Sequence, residues 1–429
     1  MPQPQSQRAI LLVLMSEGFL SRLGAGIIAF ALPLYGRQLG MSLTEISVLI
    51  SLNLIVGMLL KPMLGPLVDK FGHRLSAVTA LAARSALFLL FGLAGTAMHL
   101  AILQALRGVT KCVRDPAIYA ILATFGGKKR IARTFAWYQA AKGSAGSLGH
   151  AVAGFLLTLT AGSYGWVFAV SAAIALLPCF ILPVFMAKYR PPNQPSAEPK
   201  PIPQVTTPRA KPKKPLRLDL APFVGFGFIV SASSRMLRRM MPLLLVEYVG
   251  LVEAEAGMLY VLAAAITILA TPVFGWLYDR VSPRLVLKTR SALNVASSLI
   301  YIFTPTFAGF ATGKTLDKSG TAAFRPAWGA LMAEASARKP KRRAGRIAVM
   351  SAGEDAGTVC GPILAGILWS TFGPVPMLAA RLALSLAAEV YTLFLLRWMA
   401  RRDAGTNETS GHNVEEQRTR LPGWRRRVL

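Results

Sequence analysis

Gly65-Pro66-Leu67-Val68-Asp69-Lys70-Phe71-Gly72-His73-Arg74 closes one apolar run of the chain and opens the next. A shorter copy, Gly275-Trp276-Leu277-Tyr278-Asp279-Arg280 followed by Arg284, stands about 210 residues further on. The same offset sets Pro62 against Pro272, Glu45 against Glu255, and Pro116-Ala117 against Pro326-Ala327. An offset held over about a hundred residues marks two homologous halves. In each copy, glycine lets two helices approach where the chain turns, and the acid stands where it meets a base or a helix N-terminus.

Around the first copy lie six apolar runs, at 9–35, 46–68, 75–95, 98–124, 134–160 and 166–187; around the second lie six more, at 218–246, 257–278, 285–303, 307–334, 346–369 and 377–399. A bilayer core of about 30 Å takes about 20 apolar residues per spanning helix, so each run is long enough to cross. Composition agrees: of 429 residues, 53% are hydrophobic and only 16% charged, with a mean hydropathy of +0.47. A soluble enzyme, a secreted disulfide domain and a free nucleic-acid binder all fit poorly. The first run continues past Leu34 with no small-residue cleavage site, so it reads as a span and not a signal peptide. Between the sets, nine prolines and several bases fill 188–217, a composition that cannot bury a core and reads as an extended linker. The expected architecture is all-α and integral to a membrane. Twelve spans form two six-helix bundles, 1–187 and 218–399, joined by the linker and followed by a basic tail, 400–429.

The net charge of +29 has a positional explanation. Clusters such as Lys128-Lys129-Arg130 with Arg133, or Arg338-Lys339 with Lys341-Arg342-Arg343, follow even-numbered spans. The opposite loops hold little beyond Arg37 and carry Glu247, Glu253 and Glu255. Cytoplasmic loops hold the excess of Lys and Arg, so both termini are expected in the cytoplasm, and a nucleic-acid partner is not needed to explain the charge. Cys112, Cys179 and Cys360 are too scattered for a disulfide framework or a metal cluster. His73, His99, His150 and His412 are equally dispersed, and no catalytic constellation, metal site or cofactor motif emerges.

The decapeptide from Gly65 to Arg74 resembles the loop 2–3 motif of the major facilitator superfamily, G-x-L-x-D-R/K-x-G-x-R/K. The copy from Gly275 to Arg284 lies between spans 8 and 9, where that family repeats it, with Ser282-Pro283 in place of the second glycine. Gly357, Gly361-Pro362 and Gly366 in span 11, with Gly143, Gly146, Gly149 and Gly154 in span 5, partly match its glycine-rich crossing helices. The resemblance implies two pseudo-twofold-related bundles, a central cavity lined by spans 1, 4, 7 and 10, and transport by alternating access. Asp69 would then latch the outward-facing state by pairing across the half interface, and Asp279 likewise, with Gly65, Lys70, Gly72 and Arg74, and Gly275, Arg280 and Arg284, completing the two gating motifs. It also implies a monomeric functional unit in a lipid bilayer, and a bacterial chain of this kind belongs in the inner membrane.

Charges inside spans carry the functional reading, since each costs about 2.5–3.5 kcal/mol at the bilayer centre. They gather on spans 1, 4, 7 and 10: Glu17 and Arg22; Arg107, Lys111, Arg114 and Asp115; Arg235, Arg238 and Arg239; Lys314, Asp317, Lys318 and Arg325. Spans 3, 9 and 12 hold few: Arg84, Arg290, Arg381 and Glu389. Ten bases facing lipid would cost about 25–35 kcal/mol, so these must line protein or water. Arg107 and Lys111, four apart, share a helix face. An excess of fixed positive charge favours an anionic solute, with Arg22, Arg107, Lys111, Arg235, Lys314 and Lys318 as its expected contacts. Glu17, Asp317, Glu354 and Asp355 are placed to carry a coupling proton. Arg114, Arg325, Arg238 and Arg239, nearer the membrane faces, read equally as structural, and an internal pair such as Arg22 with Asp317 is a further alternative. Lys142 in span 5 and Glu354 in span 11 occupy corresponding places with opposite sign, which suggests a state-dependent salt bridge. Two rivals remain open: proton-coupled export of drugs or metal cations, and a transport-inactive membrane sensor or scaffold.

Overall fold

The computed structural model describes residues 4–125, 131–188, 220–280, 283–337 and 343–395. Within them the chain forms twelve α-helices and no strands. The first six are α1 (Pro4–Gln38), α2 (Leu43–Phe71), α3 (His73–Phe91), α4 (Ala97–Phe125), α5 (Ile131–Leu159) and α6 (Tyr164–Lys188). The second six are α7 (Ala221–Leu243), α8 (Glu253–Arg280), α9 (Pro283–Phe303), α10 (Phe307–Ala337), α11 (Arg343–Phe372) and α12 (Pro374–Leu395). Five of them, α1, α2, α3, α6 and α12, contain stretches long and apolar enough to cross a membrane on composition alone. In α4, α7 and α10 the apolar run is interrupted by the bases that matter below.

Local chemistry sets several boundaries. Ser42 caps α2: its Oγ accepts from the Glu45 N–H at 3.2 Å, and its own N–H donates to Glu45 Oε2 at 2.7 Å. Gly72 ends α2 and starts α3 at φ +83°, a conformation that disfavours any Cβ, which accounts for the second glycine of the decapeptide. Pro242 cannot donate to the Arg238 carbonyl, and two residues later α7 widens into a π-helical turn, Leu244–Tyr248.

Helices within each half cross through glycine. A Cβ on Gly149 of α5 would run into the Leu23 carbonyl of α1, and one on Gly357 of α11 would run into the Phe228 carbonyl of α7. The two crossings are counterparts under the repeat, as close packing of small residues in a membrane requires. Between halves, α5 packs on α8 and α2 on α11. Gly154 meets the Glu253 carbonyl and lies 3.0 Å, from where its Cβ would stand, to Gly257 Cα. Gly366 meets Ser47. Arg37 Nε donates to Glu247 Oε1 at 2.7 Å, across a sequence separation of 210 residues. That separation is the repeat offset itself, so the pair sits on the pseudo-twofold axis.

The apolar cores report the conformation. Toward the rim formed by the α1–α2 and α7–α8 connections, one cluster runs through both halves, from Ile27 and Phe30 through Leu49 to Met240, Leu244, Tyr260 and Trp369. Toward the other face each half closes on a core of its own. One holds Leu14, Val68, Leu81, Ile118 and Leu182; the other holds Phe226, Val230, Trp328 and Met350. The halves are therefore joined at the α1–α2 rim. Leu59, Leu93, Leu106, Trp166, Phe180, Val184, Val390 and Phe394 are among the large apolar side chains that face outward, as a lipid-facing surface requires.

Candidate functional site

Beneath the joined rim lies a cavity of about 160 Å³ between the halves. Nine bases line it: Arg22 from α1, Arg84 from α3, Arg107, Lys111 and Arg114 from α4, Lys142 from α5, and Arg235, Arg238 and Arg239 from α7. Among the described residues one acid does, Asp115. Asn53, Gln104, Thr110 and His150 supply neutral polar groups, and Ala25, Ala29, Leu32, Ile50 and Leu54 the apolar wall.

Each base is set by its helix. Arg107, Lys111 and Arg114 recur at the spacing of one α-helical face, and Arg235 and Arg239 lie one turn apart on α7. Arg84 reaches from α3 to α1, where its guanidinium donates to Ser21 Oγ at 2.8 Å and to the Ser21 carbonyl at 2.7 Å. Arg107 donates to Gln104 Oε1 at 3.2 Å. Both guanidiniums stand over the Phe88 ring, whose centroid is 5.1 Å from Arg84 and 5.3 Å from Arg107. Neutral groups thus position both arginines.

Arg114 is spent differently. It donates to Glu17 Oε1 at 2.5 and 3.1 Å and to Asp115 Oδ1 at 2.8 Å. Tyr138 of α5 donates to Glu17 Oε2 at 3.1 Å, and Lys142 Nζ stands over the Tyr138 and Tyr119 rings at 5.1 and 5.5 Å. Glu17 is 1% exposed, so this is a buried network tying α1, α4 and α5, with Asp115 as its edge on the cavity.

In the second half, Asp317 pairs with Arg381 of α12 at 2.6 Å, and not with Arg22. Arg381 is fully buried and also donates to Ser298 Oγ at 2.6 Å. Lys314 departs from its expected place among the lining groups. It is buried with Nζ 3.1 Å from the Tyr260 centroid, because its side chain turns toward α8. Tyr260 stacks in turn on His150 of α5, centroids 4.4 Å apart, and His150 Nδ1 contacts the Gly146 carbonyl.

Of the other expected site residues, Arg22, Arg107, Lys111, Arg235 and Lys142 are brought together in the cavity. Lys318, one turn from Lys314, is half-buried outside it. Glu354 is half-buried where its backbone passes Gly227 of α7, and Asp355 is exposed; neither lines the cavity. Among the described residues Lys142 and Glu354 form no ion pair, since Lys142 is engaged by the tyrosine rings. Gly65, Asp69, Lys70 and Gly72 run along the end of α2 into its cap, and Lys70 is exposed. Arg74 is half-buried near the start of α3. Gly275, Asp279 and Arg280 end α8, and Arg284 begins α9. The side chains of Asp69, Asp279, Arg280, Arg284, Arg290 and Arg325 lie outside the described residues. Arg84, Arg114, Arg238 and Arg239 are lining residues that the sequence left as stray or structural bases. The available signal for Arg84 was its place in the middle of an apolar helix, where it cannot face lipid.

Residues 14–307 and 223–428 match the Major Facilitator Superfamily, and the chain belongs to it. That superfamily is one of integral membrane transporters. A probable nitrate/nitrite transporter, NarK2 of Mycobacterium tuberculosis, is 27% identical over 260 residues, 58% of this chain and 61% of its own length. The chain thus spans less than two thirds of that relative. Multidrug resistance protein MdtG of Escherichia coli is 26% identical over 386 residues, 86% of this chain and 90% of its own. Among solved structures, a bacterial homologue of the human lysosomal transporter Spinster superposes with a TM-score of 0.71 at 14% identity, covering 91% of this chain and 97% of that one. At that identity the match speaks for the fold.

Proposed function

We propose that this chain is a proton-coupled secondary transporter that moves a small anion by alternating access. The observation that carries the reading is the lining itself, nine bases against one acid among the described residues of a cavity shared by both halves. Such a field concentrates anions and repels cations. Similarity to a protein named as a nitrate/nitrite transporter supports the same class of cargo. Arginine forks from α1, α3, α4 and α7 hold an oxyanion, with Lys111 as a mobile point charge.

The coupling proton is assigned to the cluster of Glu17, Arg114 and Asp115. Among the described residues Asp115 is the one acid that lines the cavity, and Arg114 pairs with both it and Glu17. Protonation of Asp115 frees an Arg114 donor for an incoming anion, so proton and anion bind cooperatively. The positive-inside rule puts the termini, the linker at 188–217 and the tail at 400–429 in the cytoplasm of a bacterial inner membrane. The joined α1–α2 rim is then the outer one, and the cavity faces inward. One chain builds the whole cavity, which supports a monomeric working unit around bundles 1–187 and 218–399.

Proteoliposomes test this. A panel of nitrate, phosphate, succinate and citrate is offered against a pH gradient, with ethidium as the cationic comparison and a trapped pH dye as readout. Anion-dependent proton flux is expected. Flux of ethidium alone would transfer the chain to organic-cation export, which its similarity to MdtG favours; anion binding without flux would make it a sensor.

A further inference from the structure

We propose that His150 is a proton-binding site within the joined rim: the neutral ring holds the halves together, and a proton entering from the cavity releases them. This concerns the conformational cycle and holds whatever the cargo is. His150 lines the cavity and lies on α5 one turn before Gly154, the glycine at the crossing with α8. Its ring stacks on Tyr260 of α8, in the other half, with centroids 4.4 Å apart and planes at 19°. Phe30 of α1 meets both rings edge-on, at 6.4 Å and 5.9 Å. The same Tyr260 ring receives Lys314 of α10, its Nζ 3.1 Å from the centroid. By way of that centroid, the ammonium and the imidazole are at most about 8 Å apart. Lys314 Nζ and the Tyr260 hydroxyl are both buried and have no hydrogen-bond partner among the described residues. A ring face therefore holds this ammonium in place of a carboxylate. Asp317, three residues along α10, is committed to Arg381 at 2.6 Å.

The Gly146 carbonyl that His150 Nδ1 contacts can only accept, so Nδ1 carries the hydrogen and Nε2 is the nitrogen left to take a proton. A neutral imidazole stacks on Tyr260 without bringing charge. A protonated one is a second cation against a ring that already holds Lys314. The charged surroundings are mostly bases. Arg22 of α1 has its Nε 3.2 Å from where a Cβ on Gly146 would stand, one turn along from His150. Arg107 and Lys111 of α4 and Arg235, Arg238 and Arg239 of α7 share the cavity with it. On α8, Glu253 and Glu255 lie two turns from Tyr260 at the helix start, and α6 brings charge only at its Lys188 end. Glu17 of α1 and Asp115 of α4 are paired with Arg114. Opening the rim removes the conflict, because α8 and α10 withdraw with the second half while α5 stays with the first. Proton binding at His150 and opening of the rim thus favour each other, and acid reaching the cavity drives the rim open.

Single-molecule energy transfer tests this on the purified full chain, with dyes at Gln38 and Val252, both exposed at the rim, and the native cysteines removed. Molecules are counted at pH 8 and pH 5.5 in one chloride buffer of constant ionic strength. A solvated imidazole takes up its proton over that interval, so the ratio of open to closed rims should rise about tenfold. His150→Phe keeps an aromatic ring and removes the basic nitrogen; His150→Gln keeps a polar side chain that does not titrate. Each should hold its ratio within about threefold between the two pH values. Lys314→Met removes the competing cation and keeps a long apolar stem, so His150 can be protonated in the closed stack. Its response should also fall to within about threefold, with the rim closed at both pH values. Closed distances at pH 8 show that a variant is folded, and either His150 variant suffices for the comparison. A ratio that does not change with pH in the unaltered protein overturns the proposal. So does a tenfold response that survives in a His150 variant, or one that survives in Lys314→Met. None of these results bears on which solute is carried, so the anion reading is tested separately by flux.

Discussion

Gly154→Ala is the smallest change that should open the joined rim. The added Cβ would collide with the Glu253 carbonyl on α8, which is backbone and cannot rotate aside, and would sit 3.0 Å from Gly257 Cα. Overpacking of this kind costs about 1–3 kcal/mol, and the cost falls only on the state in which α5 and α8 touch. The ratio of rim-closed to rim-open molecules should then fall about 5- to 150-fold. A population that starts at about 99% closed would drop to between about 95% and 40%. Spin labels at Gln38 and Val252, both exposed at this rim, read the change as a longer component in the distance distribution on a background freed of the native cysteines. Gly143→Ala is the control on the same helix: nothing lies within 4 Å of its Cβ position, so it shares the gain in helix propensity without the collision. If both variants give the unaltered protein's distances, the rim is not held by close packing at Gly154 and the reasoning fails.

Three further outcomes follow from the polar pairs. Asp317→Asn leaves Arg381 buried without its counter-charge and should destabilise by about 3–5 kcal/mol, while Asp317→Asn/Arg381→Met should cost clearly less than the sum of the singles; thermal unfolding in detergent checks the cycle. Tyr138→Phe removes a hydrogen bond to a buried carboxylate and should cost about 1.5–3 kcal/mol by the same measurement. At the half-exposed Arg37–Glu247 pair, Arg37→Glu should shift the spin-label distances toward the open rim by no more than about 1 kcal/mol, and adding Glu247→Arg should restore them.

The sequence carried the duplication, the twelve spans and the helices on which charge collects, because these are properties of one helix at a time. Spacing alone put Arg107 and Lys111 on one face, and there they are. Partner choice across helices was not legible. Asp317 has bases near it in sequence, Lys314 and Lys318, yet its partner comes from α12, about sixty residues away. Lys314 shares a helix with Asp317 but turns toward the Tyr260 ring, since a 3.6-residue period fixes a face and not the neighbour that fills it. Counting depth from helix ends could not show that Arg238 and Arg239 line the cavity. The cavity extends up to their level, and bases that look like interfacial anchors become its wall.

Arg37 and Glu247 are counterparts under the internal repeat, and they touch. Had the halves been identical copies, that axis would have set each side chain against its own twin, arginine on arginine or glutamate on glutamate. The salt bridge can exist only because the two copies differ at this position. An intramolecular duplication thereby acquired a contact forbidden to any symmetric dimer of its ancestor.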